Sequence, residues 1–186
     1  MKSNNLYYLP FKKTIFLAIS APTAHYGDWK YAIDFSINFN VPILAALDGE
    51  VIDVKDNSKE GGDDKKFANI KYQNYITIKH DHNEFSQYVH LAHKSSLVKV
   101  GDKVKKGESI AKGINIIGYT TAPHLHFMVF IIKNNKSGFE SLEIRFDKKF
   151  EIIRDGKAHI KELSKPKYKR LRELEKQYHS PKPYRG

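Results

Sequence analysis

The 186-residue sequence contains no cysteine, which excludes disulfide bonds, thiolate metal sites and cysteine nucleophiles. A metal site in this chain would therefore use histidine and carboxylate ligands, and nine histidines are available. No stretch approaches the roughly 20 apolar residues that a membrane-spanning helix requires. The lack of cysteine does not indicate a compartment, because secreted proteins with a good core need no disulfides.

Acidic residues are the minority charge, with 21 Asp and Glu against 32 Lys and Arg, so the net charge is +11. A chain this basic favours anionic polymers as partners, namely nucleic acid, a membrane surface or the bacterial cell wall. Charge alone does not choose among them. The 40% hydrophobic and 12% aromatic fractions predict a globular domain with a real core.

Short apolar runs separated by turn residues predict a mainly antiparallel β domain. Residues 43–47 and 51–54 are two such runs, and Asp48-Gly49 between them is typical of a hairpin turn. The other predicted elements are strands at 75–78, 85–90 and 125–132, short strands within 98–111, and a polar loop at 57–66.

Both ends of the chain raise questions of organisation. Residues 12–24 have the outline of a signal peptide, but the apolar part is short and cleavage would leave His25 at the N-terminus. We predict a strand there and expect any export signal to be missing from this numbering. Toward the other end Lys, Arg and Pro accumulate, which predicts a domain at 1–157 and a basic extension at 158–186, either helical or flexible.

His124-Leu125-His126 is the sharpest chemical signal. In a strand, residues i and i+2 face the same side, so both imidazoles project into one site while Leu125 anchors the strand in the core. A bare His-x-His is more often a surface pair. His80 and His82 form a second such pair beside a turn signal, and we interpret that pair as part of a solvated turn.

Four further segments accompany His124-Leu125-His126 in a fixed order along the chain. They are His25 followed by Tyr31-Ala32-Ile33-Asp34-Phe35, then Asn40-Val41-Pro42-Ile43-Leu44-Ala45, Asp48-Gly49-Glu50-Val51 and Tyr88-Val89-His90-Leu91. In this order and spacing, residues 5–132 resemble the lysostaphin-type zinc endopeptidases. The resemblance implies a duplicated hybrid motif fold, hydrolysis of peptide bonds in the stem or cross-bridge of bacterial peptidoglycan, and a periplasmic or secreted location in the cell envelope.

The resemblance also implies roles for five side chains. His25, Asp34 and His126 correspond to the zinc ligands of the family, and His90 and His124 correspond to its catalytic histidines beside the metal. Two histidines and one carboxylate leave a fourth position open, which is the pattern of catalytic rather than structural zinc. No serine or cysteine nucleophile is needed in such a site.

The first motif departs from the common form of the family. Its His and Asp are usually four residues apart, whereas His25 and Asp34 are nine apart, so Asp28 is a rival ligand. We favour Asp34 because it begins a strand and keeps the register of the motif that follows. The insert also carries three aromatic residues, for which buried packing is the expected role and contact with a peptide or sugar the alternative: Tyr26, Trp29 and Tyr31.

Three other functions compete with this interpretation. A non-catalytic wall-binding or partner-binding protein of the same fold would lack one or more of the five positions, and all are filled. A biotinyl or lipoyl carrier needs a lysine with Met neighbours, but the only Met residues are Met1 and Met128. Cations and aromatics alternate at residues 167–170 and 182–185 as in strand-binding patches. We expect attraction to anionic wall polymers there, and no nucleic acid.

Overall fold

The computed structural model describes residues 1–12, 16–20, 24–149 and 152–153. These residues form strands joined by short 3-10 helices at Gly27–Trp29, Lys65–Ala68, Ile70–Tyr72 and Asp81–Asn83. The strands are β1 Leu17–Ile19, β2 Ile33–Ser36, β3 Ile43–Leu44, β4 Gly49–Lys55, β5 Gly61–Gly62, β6 Tyr75–Lys79, β7 Glu84–Val89, β8 Lys103–Val104, β9 Ser109–Ala111, β10 Gly118–Tyr119, β11 Leu125–Ile132, β12 Phe139–Ser141 and β13 Ile152–Ile153. Within this described part, no helix is long and apolar enough to cross a membrane. The predicted boundary at 157 and the extension 158–186 lie outside the described residues.

One large sheet dominates the described residues, in the order β13-β1-β2-β11-β7-β6-β4-β8, with β12 paired to β11. Its neighbours are antiparallel apart from the parallel pair β1 and β13. Two small sheets, β3 with β9 and β5 with β10, stand apart from it. The prediction of a mainly antiparallel β fold is confirmed, and so is the strand predicted within residues 12–24.

Strand β11 is buried on both faces. Leu125, Phe127 and Val129 point into the main core, whereas Met128 and Phe130 belong to a second, smaller apolar cluster. A strand covered on both sides needs a nearly continuous apolar sequence. His126 is the one polar residue in the apolar sequence of β11, on the same face as Met128 and Phe130. Its imidazole is therefore held near the start of a well-packed strand.

Asp48-Gly49 does not form the predicted hairpin. β3 pairs with β9, and β4 pairs with β6 and β8, so the chain passes from a small sheet into the large one at this point. Glycine is required at the crossing because a Cβ on Gly49 would lie 2.3 Å from the carbonyl oxygen of Lys79. Gly49 is therefore needed for the close approach of two strands and not for a turn. In the sequence alone, these two uses of glycine look the same.

The second His-x-His pair divides into two different environments. His82 is exposed on the turn, as predicted, but His80 is only 5% exposed. Its Nδ1 lies 2.7 Å from the carbonyl oxygen of Asp48 and its Nε2 lies 2.7 Å from Ser86 Oγ. Burial lowers the pKa of His80 below its ordinary value. The solvated interpretation is thus wrong for His80, because both polar partners come from segments that only the folded sheet brings near.

The predicted polar loop at 57–66 contains a strand. β5 pairs in parallel with β10, and Gly61 makes this possible because a Cβ there would lie 2.4 Å from the carbonyl oxygen of Ile116. This pairing helps to position two of the candidate site residues, because β10 leads directly into the segment that carries His124 and His126.

Glu84 ties the N-terminal segment to the large sheet. The carboxylate is fully buried and accepts hydrogen bonds from the backbone N–H groups of Asn4 and Asn5, from Asn5 Nδ2 at 2.9 Å and from Tyr7 Oη at 3.0 Å. Every one of these donors belongs to residues 4–7. Glu84 therefore stabilises the packing of this segment against β7.

Glu84→Ala is expected to lower the free energy of unfolding by roughly 3 kcal/mol, because it leaves several buried donors without an acceptor. Urea denaturation would measure the change. The control is Glu140→Ala, which removes a half-exposed carboxylate paired with Lys133 and should cost less than about 1 kcal/mol. Equal losses in the two variants would contradict the role given to Glu84.

Candidate metal centre

Strands β2 and β11 bring two of the predicted ligands together. Asp34 and His126 are direct partners in the antiparallel register, and His126 Nδ1 lies 3.0 Å from Asp34 Oδ1. His25 precedes the 3-10 helix at Gly27–Trp29, and its Nε2 lies 3.4 Å from the same oxygen. One potential ligand atom from each of these three residues lies within 4.8 Å of the other two.

The two predicted catalytic histidines lie beside this group. His124 Nε2 is 3.5 Å from Asp34 Oδ1, on the same face of the chain as His126. The ring of His90 meets that of His124 edge-on, with 4.6 Å between ring centroids. His90 has a φ of 65°, a left-handed conformation that histidine adopts more readily than most residues. All five residues named from the sequence therefore lie together.

The donor set fits a divalent cation. Three imidazole nitrogens converge on one carboxylate oxygen, which has too few lone pairs to accept a good hydrogen bond from each of them. His25 Nε2 and His126 Nδ1 lie 3.4 Å and 3.0 Å from that oxygen. Two imidazoles and one carboxylate form a set that zinc binds commonly. His25, Asp34 and His126 are thus suited to hold such an ion.

Asp34 is a charged group in a half-buried position. Burial alone would raise the pKa of its carboxyl, but hydrogen bonds from His126 and His25 and the electrostatic interaction with His124 outweigh it. The pKa of Asp34 is therefore held well below its usual range. The carboxylate is ionised at any pH at which the protein would meet a metal ion.

The rival ligand Asp28 lies elsewhere. Its Oδ2 accepts a hydrogen bond of 2.6 Å from Ser137 Oγ, and Asp28 is not part of the His25, Asp34 and His126 group. Trp29, next to it, meets Phe139 edge-on with 4.9 Å between ring centroids. Through these contacts the insert packs against the hairpin of β11 and β12. The extra residues between His25 and Asp34, compared with the common family spacing, are accommodated there.

The three aromatic residues of the insert differ in exposure. Trp29 packs on Phe139, and its ring centroid lies 6.1 Å from that of His126. Tyr31 is half-buried, whereas Tyr26 is 71% exposed. Buried packing, the expected role, is wrong for Trp29, which stays 38% exposed, and for Tyr26, whose side chain faces solvent beside His25.

Backbone carbonyls orient the two predicted catalytic histidines, a support that the sequence did not predict. His90 Nδ1 lies 2.6 Å from the oxygen of Ile117, and His124 Nδ1 lies 2.9 Å from the oxygen of Ala122. A carbonyl only accepts, so each one favours the form of the neutral ring with the hydrogen on Nδ1 and a lone pair on Nε2. A carbonyl has no side-chain signature, so no sequence signal could have found this support.

Burial also sets the charge of these two rings. It lowers the pKa of His90 to about 3, and the charges of His124 and His126 act in the same direction. It lowers the pKa of His124 as well, against the opposing effect of Asp34. Both rings are therefore uncharged at neutral pH.

Residues 28–138 match the sequence profile of Peptidase family M23, and the chain belongs to this family. The resemblance to the lysostaphin-type peptidases is thereby confirmed. The match contains Asp34, His90, His124 and His126 but begins three residues after His25. The proximity of His25 to the other residues is therefore an independent observation of the structure.

Individual relatives share the domain but are longer proteins. The chain is 39% identical over 101 residues to an uncharacterized metalloprotease of Buchnera aphidicola, which covers 54% of this chain and 23% of that protein. It is 34% identical over 98 residues to the peptidoglycan DD-endopeptidase ShyB of Vibrio cholerae, covering 53% and 20%. The chain thus spans less than a quarter of the length of these relatives.

Among solved structures, the fold is similar to that of a mutant catalytic domain of the prophage-encoded M23 protein EnpA from Enterococcus faecalis. The TM-score is 0.50 at 25% identity, with coverage of 73% of this chain and 93% of that one. The part shared with that domain includes most of the described residues, in agreement with the predicted fold class.

Proposed function

We propose that this chain is a zinc-dependent endopeptidase that hydrolyses peptide bonds in the stem or cross-bridge of bacterial peptidoglycan. The observation that carries the proposal is the convergence of His25, Asp34 and His126 next to the neutral rings of His90 and His124. Membership of Peptidase family M23 and the similarity to a peptidoglycan DD-endopeptidase support the choice of substrate. Such a substrate lies in the cell envelope, so a periplasmic or secreted location belongs to the proposal.

In this proposal His25 Nε2, one oxygen of Asp34 and His126 Nδ1 hold the metal. A bound zinc ion supplies Lewis acidity, which polarises a peptide carbonyl and activates water. His90 and His124 supply proton transfer at Nε2, because their Nδ1 atoms are occupied by backbone carbonyls. Asp34 remains ionised throughout and keeps the negative charge that a cation needs.

The choice between the two candidate carboxylates has a direct test. Asp34→Ala is expected to abolish stoichiometric zinc binding, because it removes the oxygen on which the histidines converge. Asp28→Ala should bind zinc as the wild type does, since Asp28 contacts Ser137 instead. Zinc content after dialysis, measured by atomic absorption, distinguishes the variants. Loss of zinc in Asp28→Ala with retention in Asp34→Ala would reverse the assignment.

Digestion of purified peptidoglycan tests the proposed reaction. The wild-type protein should release muropeptide fragments that mass spectrometry shows to be cut at a peptide bond. A chelator should stop the release, and added zinc should restore it. Release of glycan fragments with intact peptides, or release that a chelator leaves unchanged, would contradict a metal-dependent peptidase.

A non-catalytic binding protein of this fold is the alternative, and no observation favours it. Such a protein would be expected to lack part of the ligand set or one of the two neighbouring histidines, and all five side chains are present and close together. Attraction of the basic extension to anionic wall polymers stays a prediction. Binding to purified walls and to duplex DNA, compared at matched ionic strength, tests it.

A further inference from the structure

We infer that Thr120 is a positioning residue, which fixes on Nδ1 of His124 the hydrogen of the neutral imidazole. The catalytic consequence rests on the proposed function, but the position of the hydrogen is a property of the metal-free protein and is measurable by itself. The inference concerns a hydroxyl group that lies outside the five residues of the site.

The Thr120 side chain is buried and makes contacts within one tight turn. Its Oγ1 donates a hydrogen bond of 2.6 Å to the carbonyl oxygen of Ala122 and accepts a longer one of 3.4 Å from the N–H of the same residue. Oγ1 also lies 3.2 Å from His124 Nδ1. One hydroxyl thus contacts both the backbone and the imidazole that the backbone supports.

These contacts favour one arrangement of hydrogens. The only hydrogen of the Thr120 hydroxyl is directed to the oxygen of Ala122, so toward His124 the hydroxyl is an acceptor. The second oxygen near Nδ1 is the carbonyl of Ala122, at 2.9 Å, which also only accepts. Nδ1 therefore faces two acceptors, at 2.9 Å and 3.2 Å, whereas Nε2 faces one, the Asp34 carboxylate oxygen at 3.5 Å. This favours the neutral ring with its hydrogen on Nδ1 and a lone pair on Nε2, and loss of the hydroxyl would leave one acceptor beside each nitrogen.

The turn itself is held by the small sheet of β5 and β10. The backbone N–H of Thr120 donates a hydrogen bond of 2.9 Å to the oxygen of Gly62, one residue beyond the pair Tyr119 and Gly62. The segment 57–62 therefore supports His124 through Thr120. Among the residues that the structure describes, His90 has a carbonyl partner but no such hydroxyl, so this support is found at His124 and not at His90.

Three variants separate the hydroxyl from the shape of the side chain. Thr120→Val keeps the size and branching of threonine but removes the hydroxyl, and Thr120→Ser keeps the hydroxyl. Thr121→Val makes the same chemical change at the neighbouring exposed position and serves as the control.

Long-range proton–nitrogen NMR spectra of the metal-free protein report which imidazole nitrogen carries the hydrogen. We expect the Nδ1–H form of His124 in the wild type, in Thr120→Ser and in Thr121→Val, and a mixture with the Nε2–H form in Thr120→Val. A wild-type His124 protonated on Nε2 would overturn the inference, as would an unchanged Nδ1–H form in Thr120→Val.

Kinetics on peptidoglycan fragments give the second readout. Thr120→Val should lower kcat about tenfold, as loss of an outer-shell partner commonly does, with KM within about twofold and zinc content unchanged. Thr120→Ser should restore kcat. An unchanged kcat in Thr120→Val, or an equal fall in Thr120→Ser, contradicts the inference. If the wild type cleaves no peptidoglycan, the proposed function fails, while the NMR result still decides the role of Thr120.

Discussion

His126→Ala is expected to lose zinc and peptidase activity together. His126 Nδ1 is one of three candidate ligand atoms, so its removal should weaken zinc binding by more than the roughly 10–100-fold that loss of an outer-shell partner causes. The fold should persist, because the core of β11 consists of Leu125, Phe127 and Val129 and does not include His126. Equilibrium dialysis with zinc measures the binding, and circular dichroism checks the fold.

The matched control for His126→Ala is His82→Ala, which removes an imidazole from the exposed turn at Asp81–Asn83. This control should bind zinc and cleave substrate as the wild type does. Tight, stoichiometric zinc in a folded His126→Ala protein would exclude His126 as a ligand.

His124→Ala is expected to keep zinc and to lose most of its turnover. The ring lies next to the candidate ligands but is held by the oxygen of Ala122, with Nε2 directed to the site. Loss of a group that transfers protons commonly lowers kcat by about 10²–10⁴-fold. Zinc content and kcat, measured on the same preparation, test both parts of the prediction.

The zinc content and turnover of His124→Ala together distinguish a catalytic residue from a metal ligand. The position of His124 beside the candidate ligands does not distinguish these two roles. Zinc retained with low turnover is the result expected of a catalytic residue. Zinc lost along with turnover would make His124 a ligand, and the set of His25, Asp34 and His126 would then need revision.

Strand β11 was predictable from the sequence for a physical reason, whereas the five candidate site residues came from the resemblance to the lysostaphin-type peptidases. β11 is covered on both faces, so its apolar run indicates a buried strand. The single polar residue within that run, His126, indicates a candidate site residue. The residues of the site carry distinctive side chains, and β2 and β11 hold Asp34 and His126 in direct register.

Features that depend on contacts distant in the sequence were not predictable. Gly49 has the appearance of a turn residue, yet it serves a close approach to Lys79, thirty residues away. His80 acquires its burial from Asp48 and Ser86. The supports of His90 and His124 are main-chain oxygens, which every residue possesses and which therefore leave no trace in the sequence.

Anomalous X-ray diffraction from zinc-loaded crystals, collected on both sides of the zinc absorption edge, is the most direct measurement. We predict one strong peak per chain, in contact with His25, Asp34 and His126 and absent below the edge. A peak bound to other residues, or no peak in crystals grown with excess zinc, would contradict a metal centre at this position and with it the proposed peptidase.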